Sequence, residues 1–283
     1  MTDVVVVGQI GRDLVLQVDD LSADGSSRVH QRRELLGGKG ANQAVGLAQL
    51  GVEVALVGVV GDDPVGADML DQAARDGIDV RAVVRRGTTA LLLDVVDESG
   101  RRRLIEDVPE LLTTADVPTT VSAGLLSLQA QQPPSVLAVA ARRFRGMVVC
   151  DGAVTDDELL ARTDLLRADH REIEQMTGER VDDEVAARRI AQQLRERGPS
   201  IVALPVPDIG DLVAWEGGQR LFSYPDVGVV DTTGAGDAFV AGMVAGLLRT
   251  NDPERAGVLA SMAAASTVAR LGGRPDLRSL AEA

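Results

Sequence analysis

A chain of 283 residues with 45% hydrophobic and 25% charged side chains has the makeup of a folded globular protein, which excludes a disordered or low-complexity chain. Its formal net charge of −14 excludes a broad surface for nucleic acid or anionic lipid, since either needs a basic patch. The single cysteine, Cys150, excludes an intramolecular disulfide and a multi-cysteine zinc site.

Cys150 ends the apolar run 146–150 and reads as a small core residue. A reduced thiol fits a cytoplasmic location. The first residues lack a basic stretch followed by a long apolar run, so no secretory signal is expected. No apolar run approaches the length of a membrane span.

Residues 4–7 form a continuous β-branched run, as a buried parallel strand would. Residues 14–18 and 28–36 alternate more loosely, as an exposed sheet would. Residues 40–50 switch to helical spacing, with Gly51 in a C-cap position. A strand over 52–60 and a helix over 64–75 follow. Residues 89–96 and 102–105 flank the turn Asp97-Glu98-Ser99-Gly100 and read as a hairpin. Short strands are expected at 125–128 and 147–150, with a helix over 134–143 between them. An amphipathic helix covers 181–196, capped by Asp182 or Asp183. Strands at 201–204 and 212–215 precede two closing helices, 234–248 and 253–270.

This alternation predicts an α/β fold, a mostly parallel central sheet with helices on both faces. The early strands and the hairpin break the alternation and read as a small separate sheet, a lid. No internal repeat or linker divides the chain, so residues 1–283 are expected to form one domain. The lid is expected over about 12–36 and 87–107.

Two glycine-rich segments carry the chemistry. In Asp231-Thr232-Thr233-Gly234-Ala235-Gly236-Asp237 the glycines precede an apolar helix. Amides at a helix start can hold an anion, and a carboxylate beside them, Asp237, can take the proton of an attacking hydroxyl. Alone, the segment is read about equally well as a structural turn with Asp237 facing the helix dipole. Gly37-Gly38-Lys39-Gly40-Ala41-Asn42 also opens a helix. It is equally a tight turn or a place of close ligand approach, where Asn42 could meet a sugar diol. Neither segment is a Walker A loop, because Lys39 is followed by Gly40. Neither completes the dinucleotide fingerprint, since Gln43 and Phe239 stand where a third glycine belongs.

Together, residues 37–51 and 231–242 resemble the two signatures of the ribokinase (PfkB) family, in order and at the expected separation. The resemblance runs from Gly8 to Pro275. It implies a ribokinase-like α/β domain whose β lid covers a sugar, and an ATP-dependent phosphotransferase acting on an alcohol. By position it implies Asp237 as the base and Gly234, Ala235 and Gly236 as the anion hole. Asp13, Gly38 and Asn42 would bind the substrate. Asp169, Gly210 and Ser261 would lie along the nucleotide. Glu172 would hold Mg²⁺ through water. Asp231, Thr233, Thr267, Arg270 and Gly272 would surround a monovalent cation, K⁺. The implied partners are a small sugar and ATP, with a homodimer through the lid.

The sequence departs from ribokinases proper at several points. Gly11 replaces an Asn, Ala130 a sugar-binding Glu, and Asp169-His170-Arg171-Glu172 the family's Asn-x-x-Glu. Pro205-Val206-Pro207 stands in for Thr-Leu-Gly, and 106–110 is acidic rather than glycine-rich. The expected activity is phosphorylation of a primary hydroxyl on a small sugar or sugar derivative. A nucleoside kinase of the same family and a non-catalytic sugar or nucleotide sensor are the alternatives. Arg101-Arg102-Arg103 reads as a solvated hairpin end, and Lys39 about equally as a phosphate partner or a solvated lysine.

Overall fold

The computed structural model describes residues 2–21, 25–119 and 123–282. Met1, residues 22–24 of the expected lid, 120–122 and Ala283 lie outside the described residues. The chain opens with β1 (Val4–Val7), β2 (Gly11–Val18), β3 (Val29–Gly37) and α1 (Lys39–Gln49). Next come β4 (Val54–Val57), β5 (Val59–Val60), α2 (Pro64–Arg75) and β6 (Val84–Arg85), then the hairpin β7 (Ala90–Asp97) and β8 (Arg102–Asp107). The middle holds β9 (Leu125–Gln129), α3 (Pro134–Arg143), β10 (Met147–Asp151), α4 (Asp157–Arg162), β11 (Leu165–Arg167) and α5 (His170–Thr177). The last part holds α6 (Glu184–Glu196), β12 (Ile201–Val206), β13 (Gly210–Trp215), β14 (Gly218–Ser223), α7 (Ala235–Thr250) and α8 (Pro253–Val268).

The main sheet runs β14-β13-β12-β11-β10-β9-β1-β4. It is parallel from β4 to β12, and the last two strands are antiparallel. Side chains alternate across a strand, and β1 shows what that does here. Val4 and Val6 join the core beneath α1, α2, α7 and α8, whereas Val5 and Val7 join the core beneath α3, α4 and α6. An all-valine strand is therefore one buried on both faces. The chain leaves β1 for β4 on one side and later returns to β9 on the other. Such a reversal opens a crevice at the C-terminal strand ends, where ligands bind in open α/β sheets.

A second sheet, β3-β2-β7-β8, forms the lid. Strand β2 pairs parallel with β7 and antiparallel with β3, and β7–β8 is the expected hairpin. Strand β2 is half buried rather than exposed, because Val15 packs with Val96 and Leu271. The single strand expected over 52–60 splits at Gly58, and β5 leaves the main sheet to pair with β6. Nothing was expected at 157–177 or 218–223, where α4, β11, α5 and β14 lie. Six- and three-residue elements are too short to show a period.

One contact fixes the site's frame. The first turn of α1 lies directly on the backbone after β1, and Ala41 N–H donates to the Gln9 carbonyl at 3.1 Å. A Cβ on Gly40 would come within 2.7 Å of the Gly8 Cα and carbonyl carbon. Gly40→Ala is expected to cost about 1–3 kcal/mol through overpacking, although alanine is the better helix former. The check is a lower denaturant midpoint at unchanged slope.

Candidate active site

Helices α1 and α7 both open on a glycine with positive φ, Gly38 at 91° and Gly234 at 73°, and neither start carries a side-chain cap. In α1 the Ala41 amide is taken by the Gln9 carbonyl, and in α7 the Ala235 amide leans on the Thr232 carbonyl at 3.4 Å. The amides of Gly40 and Gly236 in the same first turns have no backbone acceptor among the described residues and suit a ligand. Only glycine fits at 234, where a Cβ would stand 2.0 Å from the Gly273 carbonyl oxygen. The helices pack together with Gly46 of α1 against Ala241 of α7. That close approach sets the two starts side by side.

Residues far apart in sequence meet there. Asn42 Nδ2 donates to Asp237 Oδ2 at 3.2 Å. Gln43 Nε2 lies 2.8 Å from Asp151 Oδ2 and 3.4 Å from Asp237 Oδ1. Asn42 Oδ1 is buried and has no partner, so an acceptor remains for a ligand hydroxyl. Burial, seconded by the charge of Asp151, pushes the Asp237 carboxyl up to about 6, against the pull of Lys39 and Asn42. Burial and the nearby Asp94 push Asp13 up to about 7.

Two cavities meet at this point. The larger, of about 460 Å³, is lined by Asp13, Gly38, Asn42, Asp169, Glu172, Thr233, Gly234, Gly236 and Asp237 among others. The second, of about 290 Å³, is lined by Ala235 and Ser261 together with apolar Pro225, Val227, Val229 and Phe239. Arg167, Thr232 and Gly236 line both. A polar chamber and an apolar chamber therefore share a wall at the start of α7. Gly210 lies outside both. Its Cα packs on the β14 backbone, and Asp211 and Pro205 line the second cavity instead.

Asp169 caps α5 in a capping box with Glu172, whose Oε1 also accepts from Lys39 Nζ at 3.1 Å. These hard oxygen donors line the larger cavity and fit Mg²⁺. The residues expected around a monovalent cation fall on the loop before α7 and on the end of α8 with the segment that follows it. Asp231 Oδ1 accepts from Thr233 N and Oγ1, and Oδ2 accepts from Gly272 N at 2.9 Å. Thr267 is buried in α8, its hydroxyl donating to the Ala263 carbonyl, and the Arg270 side chain pairs with Asp276. Asp13, Asp94 and Asp231 act on one another through their charges, with Arg102 as their cation. That surplus of buried negative charge fits a cation.

Several residues of the site had no signal in the sequence. Arg167 ends the three-residue strand β11, donates to Asp151 Oδ1 at 3.2 Å, and lies against Gly236, where a Cβ would meet its guanidinium at 2.6 Å. Asp94 is fully buried, lies 3.1 Å from Thr233 Oγ1 and accepts from Arg102 Nε at 2.7 Å. Arg102 is exposed, as expected of the hairpin end, and its guanidinium also reaches Asp94 and the larger cavity. Lys39 is not a free surface lysine: Asp151, Glu172 and Asp237 raise its pKa against the effect of burial.

The model of the pfkB family carbohydrate kinases matches residues 1–280. Ribokinase of Haemophilus influenzae is 28% identical, covering 96% of this chain and 94% of its own. The ATP-dependent ribose-1-phosphate kinase of Halopiger xanaduensis is 31% identical, covering 97% and 94%. The crystal structure of ribokinase from Thermotoga maritima superposes with a TM-score of 0.84 at 27% identity, covering 100% and 98%. With both signature segments meeting in one cleft, the chain belongs to the pfkB family of carbohydrate kinases and is a ribokinase-like phosphotransferase.

Proposed function

We propose that this kinase transfers the γ-phosphoryl group of ATP to a primary hydroxyl of a small sugar or sugar derivative, with Asp237 as the base. The observation that carries the reading is the bond between Asn42 and Asp237 in the wall of the larger cavity, next to Gly236, which lines both cavities. The relatives are named for ribose and ribose 1-phosphate, which supports a pentose ring in the larger cavity. Asp13, the Gly38 backbone and Asn42 would hold its hydroxyls. The adenosine end of ATP would lie in the apolar cavity beside Ser261, with Asp169 nearer its phosphates. Gly210 would act only through the strand it begins.

Asp237 accepts the hydroxyl proton as the acceptor oxygen bonds to the γ-phosphorus. The bond from that phosphorus to the β–γ bridging oxygen breaks, and its electron pair leaves with ADP. Amides of residues 234–236 and the Arg167 guanidinium meet the charge on the transferring group. Mg²⁺ held through Asp169 and Glu172 would neutralise phosphate charge when bound. K⁺ at the 231–233 and 267–272 loops would offset the buried carboxylates.

We place the reaction in the cytoplasm, where ATP is supplied, and read residues 1–283 as one lidded domain. No helix among the described residues is long and apolar enough to cross a membrane. The exposed lid residues Val29, Leu104 and Ile105 support a homodimer, which would sediment at twice 29.7 kDa.

The test is ADP release and product analysis over a sugar panel, with and without Mg²⁺ and with K⁺ exchanged for tetramethylammonium. Equal amounts of ADP and phosphorylated sugar are expected, with Mg²⁺ required and K⁺ stimulating. Tight ATP binding with no product from any acceptor would mark a sensor and end this reading.

A further inference from the structure

Strand β13 carries a carboxylate that no donor among the described residues answers, that of Asp211. Side chains alternate along a strand, and Val213 joins the core beneath α7 and α8, so Asp211 points to that same face. Directly across from it stand Pro205 on β12 and Phe222 on β14. Neither side chain has a hydrogen to donate. Burial pushes the Asp211 carboxyl up to about 6, against the pull of the Arg167 charge.

Asp211 lines the apolar cavity, and so does Tyr224. The Tyr224 N–H donates to the Ile209 carbonyl at 2.9 Å, which holds this residue beside the start of β13. Its hydroxyl also has no hydrogen bond among the described residues. Burial, and then the charge of Asp211, push that hydroxyl up to about 12. A carboxylate and a phenol thus sit close enough to act on each other, and both remain open to a ligand.

The other walls say which part of a nucleotide meets them. Arg167 and Gly236 mark the phosphate end of the cavity, while Val227, Val229 and Ala264 are apolar and suit a base. A carboxylate repels phosphates, and it gains nothing from the flat face of a base. Strand β13 lies two strands from β11, about 10 Å across the sheet, so Asp211 stands clear of the phosphates that Arg167 would meet. The sugar of a nucleotide joins its phosphates to its base. Its vicinal diol offers two adjacent O–H donors to the two oxygens of an acceptor-only group.

We propose that Asp211, seconded by Tyr224, is the subsite for the 2′,3′-diol of the donor nucleotide and restricts the donor to ribonucleotides. This subsite rests on the kinase reading, which sets the phosphates at the start of α7.

The experiment measures kcat/KM for ATP, 2′-deoxy-ATP, 3′-deoxy-ATP and ITP, together with calorimetric Kd for ADP and 2′-deoxy-ADP. It uses wild type, Asp211→Ala and Asp211→Asn. Wild type is expected to prefer ATP over each deoxynucleotide by about 10-fold or more, the worth of a hydrogen bond to a charged group, with the difference mostly in KM. Asp211→Ala should bring both ratios close to one, and Asp211→Asn, which keeps one acceptor oxygen, should fall between. The carboxyl is held above its ordinary 3.8 in the folded state, so its ionised form does not stabilise the fold at pH 8. Neither variant should then melt below wild type at that pH. Equal use of ATP and the deoxynucleotides by wild type, or a preference that Asp211→Ala retains, would overturn the diol subsite. So would a preference for ATP over ITP, which lacks the 6-amino group, that Asp211→Ala abolishes with the deoxy ratios unchanged. The carboxylate would then face the base. Discrimination between ADP and 2′-deoxy-ADP, lost in Asp211→Ala, with no product from any acceptor would uphold the subsite and end the kinase reading alone.

Discussion

Asp237→Asn is expected to lower turnover by about 10²–10⁴-fold, the range of a lost general base, with little change in KM. The amide keeps the size of the carboxylate and can still accept from Asn42, so acceptor binding should persist. Fold stability should not suffer. Burial holds the Asp237 carboxyl at about 6 in the folded state, above the ordinary 3.8. The folded protein therefore binds more protons than the unfolded chain between those values, and stability falls as pH rises through that window. At pH 8 the variant should melt no lower than wild type. The same raised carboxyl gives wild type an acid limb: kcat/KM should climb with pH near 6 and then level, and Asp13, at about 7, would broaden the limb upward. Near-normal turnover in Asp237→Asn, or a flat profile between pH 5 and 8, would remove Asp237 from the base role.

Arg167→Ala is expected to damage both stability and rate. Its side chain pairs with Asp151, which is fully buried. Removing one partner of such a pair leaves an uncompensated charge and costs about 3–5 kcal/mol, here eased by the Gln43 amide still on Asp151. The guanidinium also faces both cavities across Gly236. Losing one preorganised donor to a developing phosphoryl charge typically costs about 10²–10³-fold in kcat. Arg167→Lys separates the two effects. A lysine restores the charge beside Asp151 and so most of the melting temperature. It lacks the planar fork, so kcat should recover only in part. If Arg167→Ala turned over like wild type under conditions where it stays folded, Arg167 would be a structural partner of Asp151 and nothing more.

The sequence made the two glycine-framed segments visible because their chemistry is local: a turn, a helix start and one carboxylate within a few residues. The sheet was legible for a similar reason. A strand buried on both faces, such as Val4–Val7, must be apolar throughout. Arg167 and Asp94 stayed hidden because their roles are made by partners far along the chain, Gly236 and Thr233. Short β11 gave no period to place Arg167. The arginine run is exposed as read, but the ion pair of Arg102 with Asp94 was not legible, because that partner lies across the hairpin. Helix α5 was findable: Asp169 and Glu172 have the spacing of a capping box, and the structure shows that box formed.

The hydroxyl of Thr233 reaches Asp94 on the lid from the loop that opens α7. The lid sheet and the loop that opens α7 are thus joined by one side-chain contact, which on the proposed reading links the acceptor site to the nucleotide site. Thermodynamic reciprocity then requires that whatever factor the acceptor adds to nucleotide affinity, the nucleotide returns to the acceptor. Calorimetry with a non-hydrolysable nucleotide should show that mutual tightening in wild type and its loss in Thr233→Val.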